Sequence, residues 1–270
     1  MEPRMFCPLH IGNMLRTNGH KIYGFSILVS EEEAETLYEV VRVFKKYGVK
    51  LIQIMGSTPL LVKKGYLTYV VGDFTDSEIE PQTLAEEIRR LSSIEDVCII
   101  APIDDLLVNM IHFPLFVGDS RAMIINEPFM RAIIRRPREH FGSGVEAYQY
   151  YEGKFIGESI YNALSLFIKG REKLIEGLRA YLISIGLAVI ELIELNPDKP
   201  LIVIRAYDSF ECELGKGSDR PYSHVLRGIL AGFLGRVLNE NLIAREVRCI
   251  AKGDEYCEYE ITREEEEEED

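Results

Sequence analysis

Residues 243–262 read IAREVRCIAKGDEYCEYEIT, in which two runs of strand-forming residues flank the turn Lys252-Gly253-Asp254. Runs rich in β-branched and aromatic residues are typical of strands, and a glycine between polar residues is typical of a tight connection. The pattern predicts a β-hairpin with Gly253 at its apex. Cys249 and Cys257 are equidistant from that apex, so we expect them to be cross-strand partners with Cβ atoms roughly 4.5–5.5 Å apart.

Two thiols placed in this way can both bind one metal ion without movement of the backbone. Zinc takes four ligands, and Cys212, at the end of an earlier predicted hairpin, can supply a third sulfur. The residues leave the fourth ligand open among nearby carboxylates and histidines. Two other interpretations stay open, because free cysteines are commonly small buried hydrophobes and opposed cysteines can form a disulfide outside a reducing cytosol.

Upstream of this hairpin the sequence predicts helices and a second hairpin. Helical patterns span 127–163, with breaks near Pro137, Gly142 and Gly144, and 171–185. The runs LAVIELIEL and PLIVIRAYDSFEC flank the turn 196–199, which predicts the second hairpin.

The last predicted helix begins at a cap residue, Asp219, and runs to Asn239. Each interior glycine costs about 1 kcal/mol relative to alanine, so a row of them on one helix face needs a reason. The pattern favours close packing of another element over ligand contact along this row: Gly228, Gly232 and Gly235.

The first half of the chain predicts a separate domain with the order βαββαβ. Its strands are predicted at 22–29, 49–56, 66–74 and 94–103, with one helix from a Ser30–Glu33 capping box to Tyr47 and another from Pro81. This order is the ferredoxin-like unit. It resembles an ACT-type regulatory domain in element order and length, which implies either a ligand site or a module for packing and dimerisation.

The run Glu246-x-x-Cys249-x-Ala251-Lys252-Gly253-Asp254-x-x-Cys257-x-Tyr259 resembles the C-terminal signature of the 4-vinyl reductase domain family. Further matches are Tyr151-Glu152-Gly153, Gly157 and the glycine row above. The best-understood members are phenol-sensing input domains of bacterial transcription activators, and their fold is related to trafficking-complex subunits of the Bet3 type. The resemblance implies an α+β domain of this Bet3-like kind after the ACT-like domain.

The resemblance also implies a zinc site formed by Cys212, Glu246, Cys249 and Cys257, since the sensing members hold zinc with three cysteines and one glutamate at such spacings. Four protein ligands leave no open position, so this zinc would be structural. Glu246 is an odd number of residues from Cys249, so a bulge near Val247 must turn it inward. Lys252 and the turn amides are expected to offset the negative charge of the ligands.

A mainly apolar pocket for a small hydrophobic or aromatic ligand is the second feature that the resemblance implies, between the helical region and the hairpins. An aromatic stripe at helical spacing is more often core, and a lone histidine is more often structural. The pocket candidates are His140, Tyr148, Tyr151, Phe155 and Tyr161. The pair Cys7 and His10 has metal-ligand spacing but no second pair nearby.

The domains are predicted as an N-terminal segment 1–20, an ACT-like domain 21–104, the ligand domain 112–262 and an acidic tail 264–270. A net charge of −13 without a basic stripe disfavours direct nucleic-acid binding. The sequence has no long apolar run and no signal-peptide pattern, which favours a soluble cytoplasmic protein without membrane contact. The absence of Trp and the many charged residues favour a thermophile.

Together these features predict a cytoplasmic small-molecule sensor or regulatory protein that forms a homodimer. Any action on transcription would pass through a protein partner. One alternative is an enzyme that reduces a vinyl group of a tetrapyrrole, although the sequence shows neither a dinucleotide fingerprint nor a flavin motif. The other alternative is an assembly or tethering subunit.

Overall fold

The structure is a computed structural model that describes residues 9–30, 34–57, 66–118, 120–196 and 201–264. Several predicted features lie outside these residues: Glu33 of the capping box, Cys7, most of the 196–199 turn, and the tail from 265 onward. The chain divides into two units, Met1–Met123 and Ile124–Asp270. The second unit therefore begins after the predicted start at 112.

The first unit has eight strands and two helices within its described residues. They are β1 (Met14–Arg16), β2 (Ile22–Val29), α1 (Ala34–Lys46), β3 (Lys50–Ser57), β4 (Tyr66–Asp73), α2 (Pro81–Arg89), β5 (Ile94–Ile100), β6 (Leu106–Val108), β7 (Leu115–Val117) and β8 (Ser120–Ala122). Four of the strands form an antiparallel sheet in the order β3-β4-β2-β5, which is the arrangement of a split βαβ unit.

Alternating side chains of the central strand β2 reach opposite faces of this sheet. Phe25 and Ile27 are fully buried in a core that also contains Phe44 of α1 and Leu84 of α2. The opposite face carries a smaller apolar cluster that includes Tyr69 of β4 and Leu107 of β6. The β1–β6 pair was not predicted, because strands of three residues are too short to show periodicity.

The described residues of the second unit form six α-helices and a four-stranded antiparallel sheet. Its elements are α3 (Glu127–Met130), a π-helical turn (Arg131–Arg135), α4 (Arg136–Phe141), α5 (Ser143–Leu164), α6 (Arg171–Ser184), β9 (Val189–Asn196), β10 (Leu201–Tyr207), α7 (Phe210–Leu214), α8 (His224–Leu238), β11 (Leu242–Arg248), a 3-10 turn (Ile250–Lys252) and β12 (Cys257–Arg263). The sheet order is β11-β12-β10-β9. The prediction of a mixed α+β fold is confirmed.

Helices α5 and α8 pack with their backbones in contact. A Cβ added to Gly157 would lie 2.2 Å from the carbonyl oxygen of Ile229, and one added to Gly228 would lie 2.1 Å from that of Tyr150. The predicted glycine row is therefore explained by helix packing, except for Gly235. A Cβ there would instead approach the carbonyl oxygen of Glu240 just after the helix.

Helix α8 is the element whose predicted start is wrong, because it begins at His224 and not at Asp219. Its first backbone amides donate hydrogen bonds to the carboxylate of Glu211, which lies outside the helix in the preceding segment α7. A cap that is distant in sequence leaves no local signal. Pro137 lies in the first turn of α4, directly after the π-helical turn (Arg131–Arg135), and a further break falls at Gly142, which has φ 66°.

None of the helices in the described part of the chain has the length and apolar character needed to cross a membrane.

Candidate metal centre

Four donor groups from separate segments converge inside the second unit. One donor atom each from Cys212, Glu246, Cys249 and Cys257 can be chosen so that all lie within 4.8 Å of one another, and all four residues are buried. The Sγ of Cys212 is 3.7 Å from that of Cys249, 3.3 Å from that of Cys257 and 3.8 Å from Oε1 of Glu246. The structure therefore brings together the four residues that the family resemblance implied.

The hairpin of β11 and β12 positions three of these groups. The register pairs Glu246 with Tyr259 and Arg248 with Glu258, with an irregularity between Glu246 and Arg248. This shift lies at Val247, where a bulge was expected, and it turns Glu246 to the same side as the thiols. Gly253 at the turn has φ 104°, a conformation that L side chains rarely adopt.

The sequence predicted Cys212 at the end of a hairpin strand. In the structure, Cys212 instead reaches the cluster from the short helix α7. The hydroxyl of Ser209 accepts a hydrogen bond from the Cys212 amide and caps this helix. A helical turn directly after β10 was missed because its sequence, SFEC, continues the apolar pattern of the strand.

Hydrogen bonds from neighbouring groups hold the ligands in place. The Ser223 amide donates to Oε2 of Glu246 at 2.9 Å, which leaves Oε1 directed at Cys212. The Ile250 amide donates to Sγ of Cys257 at 3.3 Å. The side chain of Lys252, by contrast, is exposed, so the backbone amide is the compensating group that the structure shows.

Protons are retained by some of these groups when no cation is bound. Burial raises the pKa of Glu246 to about 8, and the nearby Cys249 contributes to the shift. The pKa of Cys212 is raised because its thiol donates hydrogen bonds to Cys249 and Cys257, and burial adds to this shift. Hydrogen bonds from the thiols of Cys212 and Cys257 lower the pKa of Cys249. A cation would replace the retained protons, so metal uptake here releases protons.

The distances match those expected around a tetrahedral ion. Sulfur ligands lie about 2.3 Å from zinc, which places neighbouring ligands of a tetrahedron roughly 3.8 Å apart. The separations of 3.3–3.8 Å from Cys212 are close to this spacing, and all four donor atoms lie within 4.8 Å of one another. The cluster can hold a metal ion, and its four protein ligands would close the site.

A buried ion pair beside the cluster was missed by sequence reasoning. Arg138 of α4 donates to Glu211 at 2.6 Å, to Gln149 at 2.6 Å and to the carbonyl oxygen of Tyr222 at 2.7 Å. Glu211 is adjacent to Cys212 and also accepts from the first three amides of α8. The pair therefore fixes α7 and the start of α8 on either side of the metal ligands.

We expect the stability of this region to depend on pH through His224. Burial lowers its pKa to about 3, with contributions from the charges of Arg138, Arg227 and Arg220. Between pH 6.5 and 3 the unfolded chain binds a proton there that the folded chain does not. The free energy of unfolding should therefore fall as the pH drops below 6.5, by at most about 1.4 kcal/mol per pH unit from this residue.

Replacing this residue by asparagine (His224→Asn) should flatten the pH dependence and keep an acceptor for Arg227, which lies 3.2 Å from Nδ1. Denaturant unfolding of His224→Asn and of the unsubstituted protein between pH 7 and 4 measures the difference in their pH dependence. Any metal contribution is common to both proteins and cancels in this difference. His140→Asn is the matched control, because His140 is exposed. Parallel curves for His224→Asn and the unsubstituted protein would contradict the assignment.

The predicted pocket residues do not all lie together, unlike the predicted metal ligands. Tyr148, Tyr151 and Phe155 line a groove of about 510 Å³ on the outer side of α5, and Tyr181 of α6 also lines it. They are 66 %, 51 % and 64 % exposed. The groove lies on the outer side of α5, toward α6, and not in a space enclosed by helices and hairpins, because glycine packing against α8 occupies the inner face of α5.

The other two predicted pocket residues lie elsewhere. Tyr161 packs against Phe233 with ring centroids 5.9 Å apart, so it belongs to the α5–α8 interface. His140 is exposed and its ring contacts that of Phe141. Neither residue is among those that line the groove.

The second unit is thus an α+β domain with a buried cluster of three thiols and one carboxylate. Residues 202–263, which contain all four ligands, match the family model described as the V4R domain. This match confirms the predicted resemblance to the 4-vinyl reductase domain family for this part of the chain.

Relatives and solved structures extend the comparison. Uncharacterized protein MJ0150 of Methanocaldococcus jannaschii is 27 % identical over 184 residues, 68 % of this chain and 93 % of that protein. The phenol-responsive sensory domain of the transcription activator PoxR has a similar fold, with a TM-score of 0.50 and 13 % identity over 55 % of this chain and 79 % of that domain. A vinyl-4-reductase family protein from M. jannaschii matches 53 % of this chain and 100 % of its own, at 18 % identity and a TM-score of 0.36.

Proposed function

We propose that this protein is a small-molecule sensor whose ligand domain is stabilised by a structural zinc ion. Zinc is the proposed metal because thiolate ligands select soft or borderline ions, and a closed set of four suits a structural role. Cys212, Glu246, Cys249 and Cys257 would hold the ion. The ion would link α7 to the last hairpin and would take part in no reaction.

The observation that carries the sensing proposal is the aromatic groove on α5, in a chain that also carries a V4R domain. Its volume exceeds that of a single-ring molecule, and ring edges and faces of two tyrosines and a phenylalanine offer specific contacts to an aromatic ligand. PoxR's sensory domain is described as phenol-responsive. We therefore propose a small aromatic or hydrophobic ligand, with phenol as the first probe.

The first unit would serve as an ACT-like regulatory or packing module over 21–104, and the second unit as a Bet3-like ligand domain. A net charge of −13 opposes contact with phosphate backbones. Any effect on transcription would accordingly pass through a protein partner. The proposed location is the cytoplasm.

Phenol should raise the melting temperature of the purified protein, because a ligand that binds only the folded state stabilises it by about 2.7 kcal/mol at a hundred times its dissociation constant. Tyr151→Ala should weaken binding roughly tenfold through loss of one aromatic contact. Leu166→Ala is the matched control, since Leu166 is 71 % exposed and does not line the groove. Calorimetric titration and thermal unfolding measure both effects.

Cyclohexanol tests whether the ring matters, because it has phenol's size and hydroxyl group without the aromatic face. It should bind more weakly than phenol. The absence of any phenol-dependent stabilisation, or an equal effect in Tyr151→Ala, would contradict the proposed ligand site.

A further inference from the structure

A histidine anchors the stretch of chain that follows β6 in the first unit. Residues 109–112 form a strap on the sheet face opposite the helices, where Nε2 of His112 lies 3.0 Å from the hydroxyl of Ser26 in β2. The apolar side chains of the strap, Met110 and Ile111, are 64 % and 44 % exposed. The strap is therefore held on the sheet by a polar side chain and hardly by its apolar ones.

The side chain of Asn109 fixes the position of the proton on this histidine. Oδ1 of Asn109 accepts hydrogen bonds from the backbone amides of Ile111 and His112, both at 3.3 Å. Backbone amides can only donate, so the side-chain amide of Asn109 is oriented with its nitrogen toward the ring. That nitrogen lies 2.8 Å from Nδ1 of His112, which must then accept. The ring is therefore neutral, and its proton is on Nε2, which donates to Ser26.

This proton position excludes Ser26 as an activated nucleophile. A serine, a histidine and an asparagine in contact can form a nucleophile, a base and an orienting group. A general base, however, needs a free lone pair on the nitrogen that faces the serine, and Nε2 of His112 donates there. Ser26 is also only 6 % exposed. The three residues are therefore a hydrogen-bonded anchor.

We propose that His112 is a pH-sensitive latch, which holds the strap on the sheet when the ring is neutral and releases it when the ring is protonated. A second proton would be placed on Nδ1, where it would face the NH2 group of Asn109, so that two donors would meet. Rotation of the Asn109 side-chain amide would remove this conflict but would turn its nitrogen toward the two backbone amides. Protonation therefore breaks hydrogen bonds of the strap in either orientation.

The groups that face His112 do not offset a positive charge. Burial raises the pKa of Tyr69 of β4, whose ring centroid is 5.3 Å away, to about 12, so Tyr69 stays neutral. On β5, Cys98 pairs with Ser26, and its thiol is directed at the exposed carboxylate of Asp96. The polar neighbours next to β1 and β6 are uncharged side-chain amides. Burial lowers the pKa of His112, and among the described residues no charged group adds to this shift.

Hydrogen exchange of the full chain measures the latch. The pKa of a histidine in the released strap is about 6.5 and that of the latched ring is lower, so the latch is closed above pH 6.5 and weakens as the pH falls. One proton changes this equilibrium by at most about tenfold per pH unit. Protection of the Ile111 and His112 amides, corrected for intrinsic exchange, should fall at least about fivefold between pH 7 and 4.5. Unchanged protection would overturn the latch.

Two substitutions distinguish a latch from a merely structural contact. His112→Gln keeps an NH2 donor for Ser26 but takes up no proton, so the loss of protection in acid should disappear. His140→Gln is the matched control, because His140 is exposed in the second unit, and it should behave like the unsubstituted protein. Asn109→Asp places a carboxylate oxygen at Nδ1, which accepts from the protonated ring. Its strap should therefore become better protected as the pH falls.

Nitrogen chemical shifts of the histidine ring give an independent readout, and they should show the Nε2–H form of His112 at pH 7.5. An Nδ1–H form, or an equal loss of protection in acid in His112→Gln, would overturn the latch. Asn109→Asp decides the question even where His112→Gln fails to hold the strap, since a loss of protection in acid there would also overturn it. These outcomes are independent of the metal ligands and of the groove on α5.

Discussion

Replacing Cys257 by serine (Cys257→Ser) is expected to abolish stoichiometric zinc binding and to lower the free energy of unfolding by about 4 kcal/mol. This figure corresponds to the loss of a ligand present at roughly a thousand times its dissociation constant. Cys257 is fully buried, and its sulfur lies 3.3 Å from that of Cys212. A hydroxyl there is a poor zinc ligand, so the other three groups would be left to hold the ion without a closed coordination sphere. Elemental analysis and denaturant unfolding measure the two effects.

Chelation separates the loss of metal from the loss of packing. Removing zinc from the unsubstituted protein should reproduce most of the destabilisation, whereas the same treatment should hardly change Cys257→Ser. Cys98→Ser is the matched control, because Cys98 is exposed in the first unit. A Cys257→Ser protein that keeps one zinc per chain, or an unsubstituted protein that is purified from zinc-containing medium without any metal, would contradict the site.

The pair Cys249 and Cys257 was predictable because the information for it is local. Two cysteines at equal distances from Gly253 define a hairpin register, and the pair Arg248–Glu258 has that register, whereas the pairing is shifted by one residue from Glu246 outward. The inward position of Glu246 could not be obtained from strand alternation, which places it on the wrong face. It came from the family resemblance, and the register shift at Val247 is the physical reason for it.

Features that depend on distant segments were harder to predict. The start of α8 is set by Glu211, and the partner of that carboxylate, Arg138, lies far from it in sequence. The groove was expected inside the domain because aromatic spacing does not show which helix face is occupied. The glycines decide this, since they allow α8 to approach the inner face of α5 and leave Tyr148 and Phe155 outside.

The close approach of these helices leads to the second large effect. Replacing Gly157 by alanine (Gly157→Ala) would add a Cβ 2.2 Å from the carbonyl oxygen of Ile229 and 2.8 Å from the amide nitrogen of Phe233. The contacts are to backbone, so the helices must separate. Alanine gains about 1 kcal/mol in helix propensity, but lost packing over the interface should outweigh it. We expect a net destabilisation of about 3 kcal/mol in denaturant unfolding.

Gly144→Ala is the matched control in the same helix, because a Cβ there meets no atom within 4 Å. It should leave stability unchanged or raise it by up to about 1 kcal/mol. Gly228→Ala acts from the other helix, where its Cβ would lie 2.1 Å from the carbonyl oxygen of Tyr150. Since either substitution already separates α5 from α8, the Gly157→Ala/Gly228→Ala double variant should lose less than the sum of the single losses. Additive losses would mean that the two glycines relieve independent contacts, and a stable Gly157→Ala protein would show that α5 and α8 do not pack this closely.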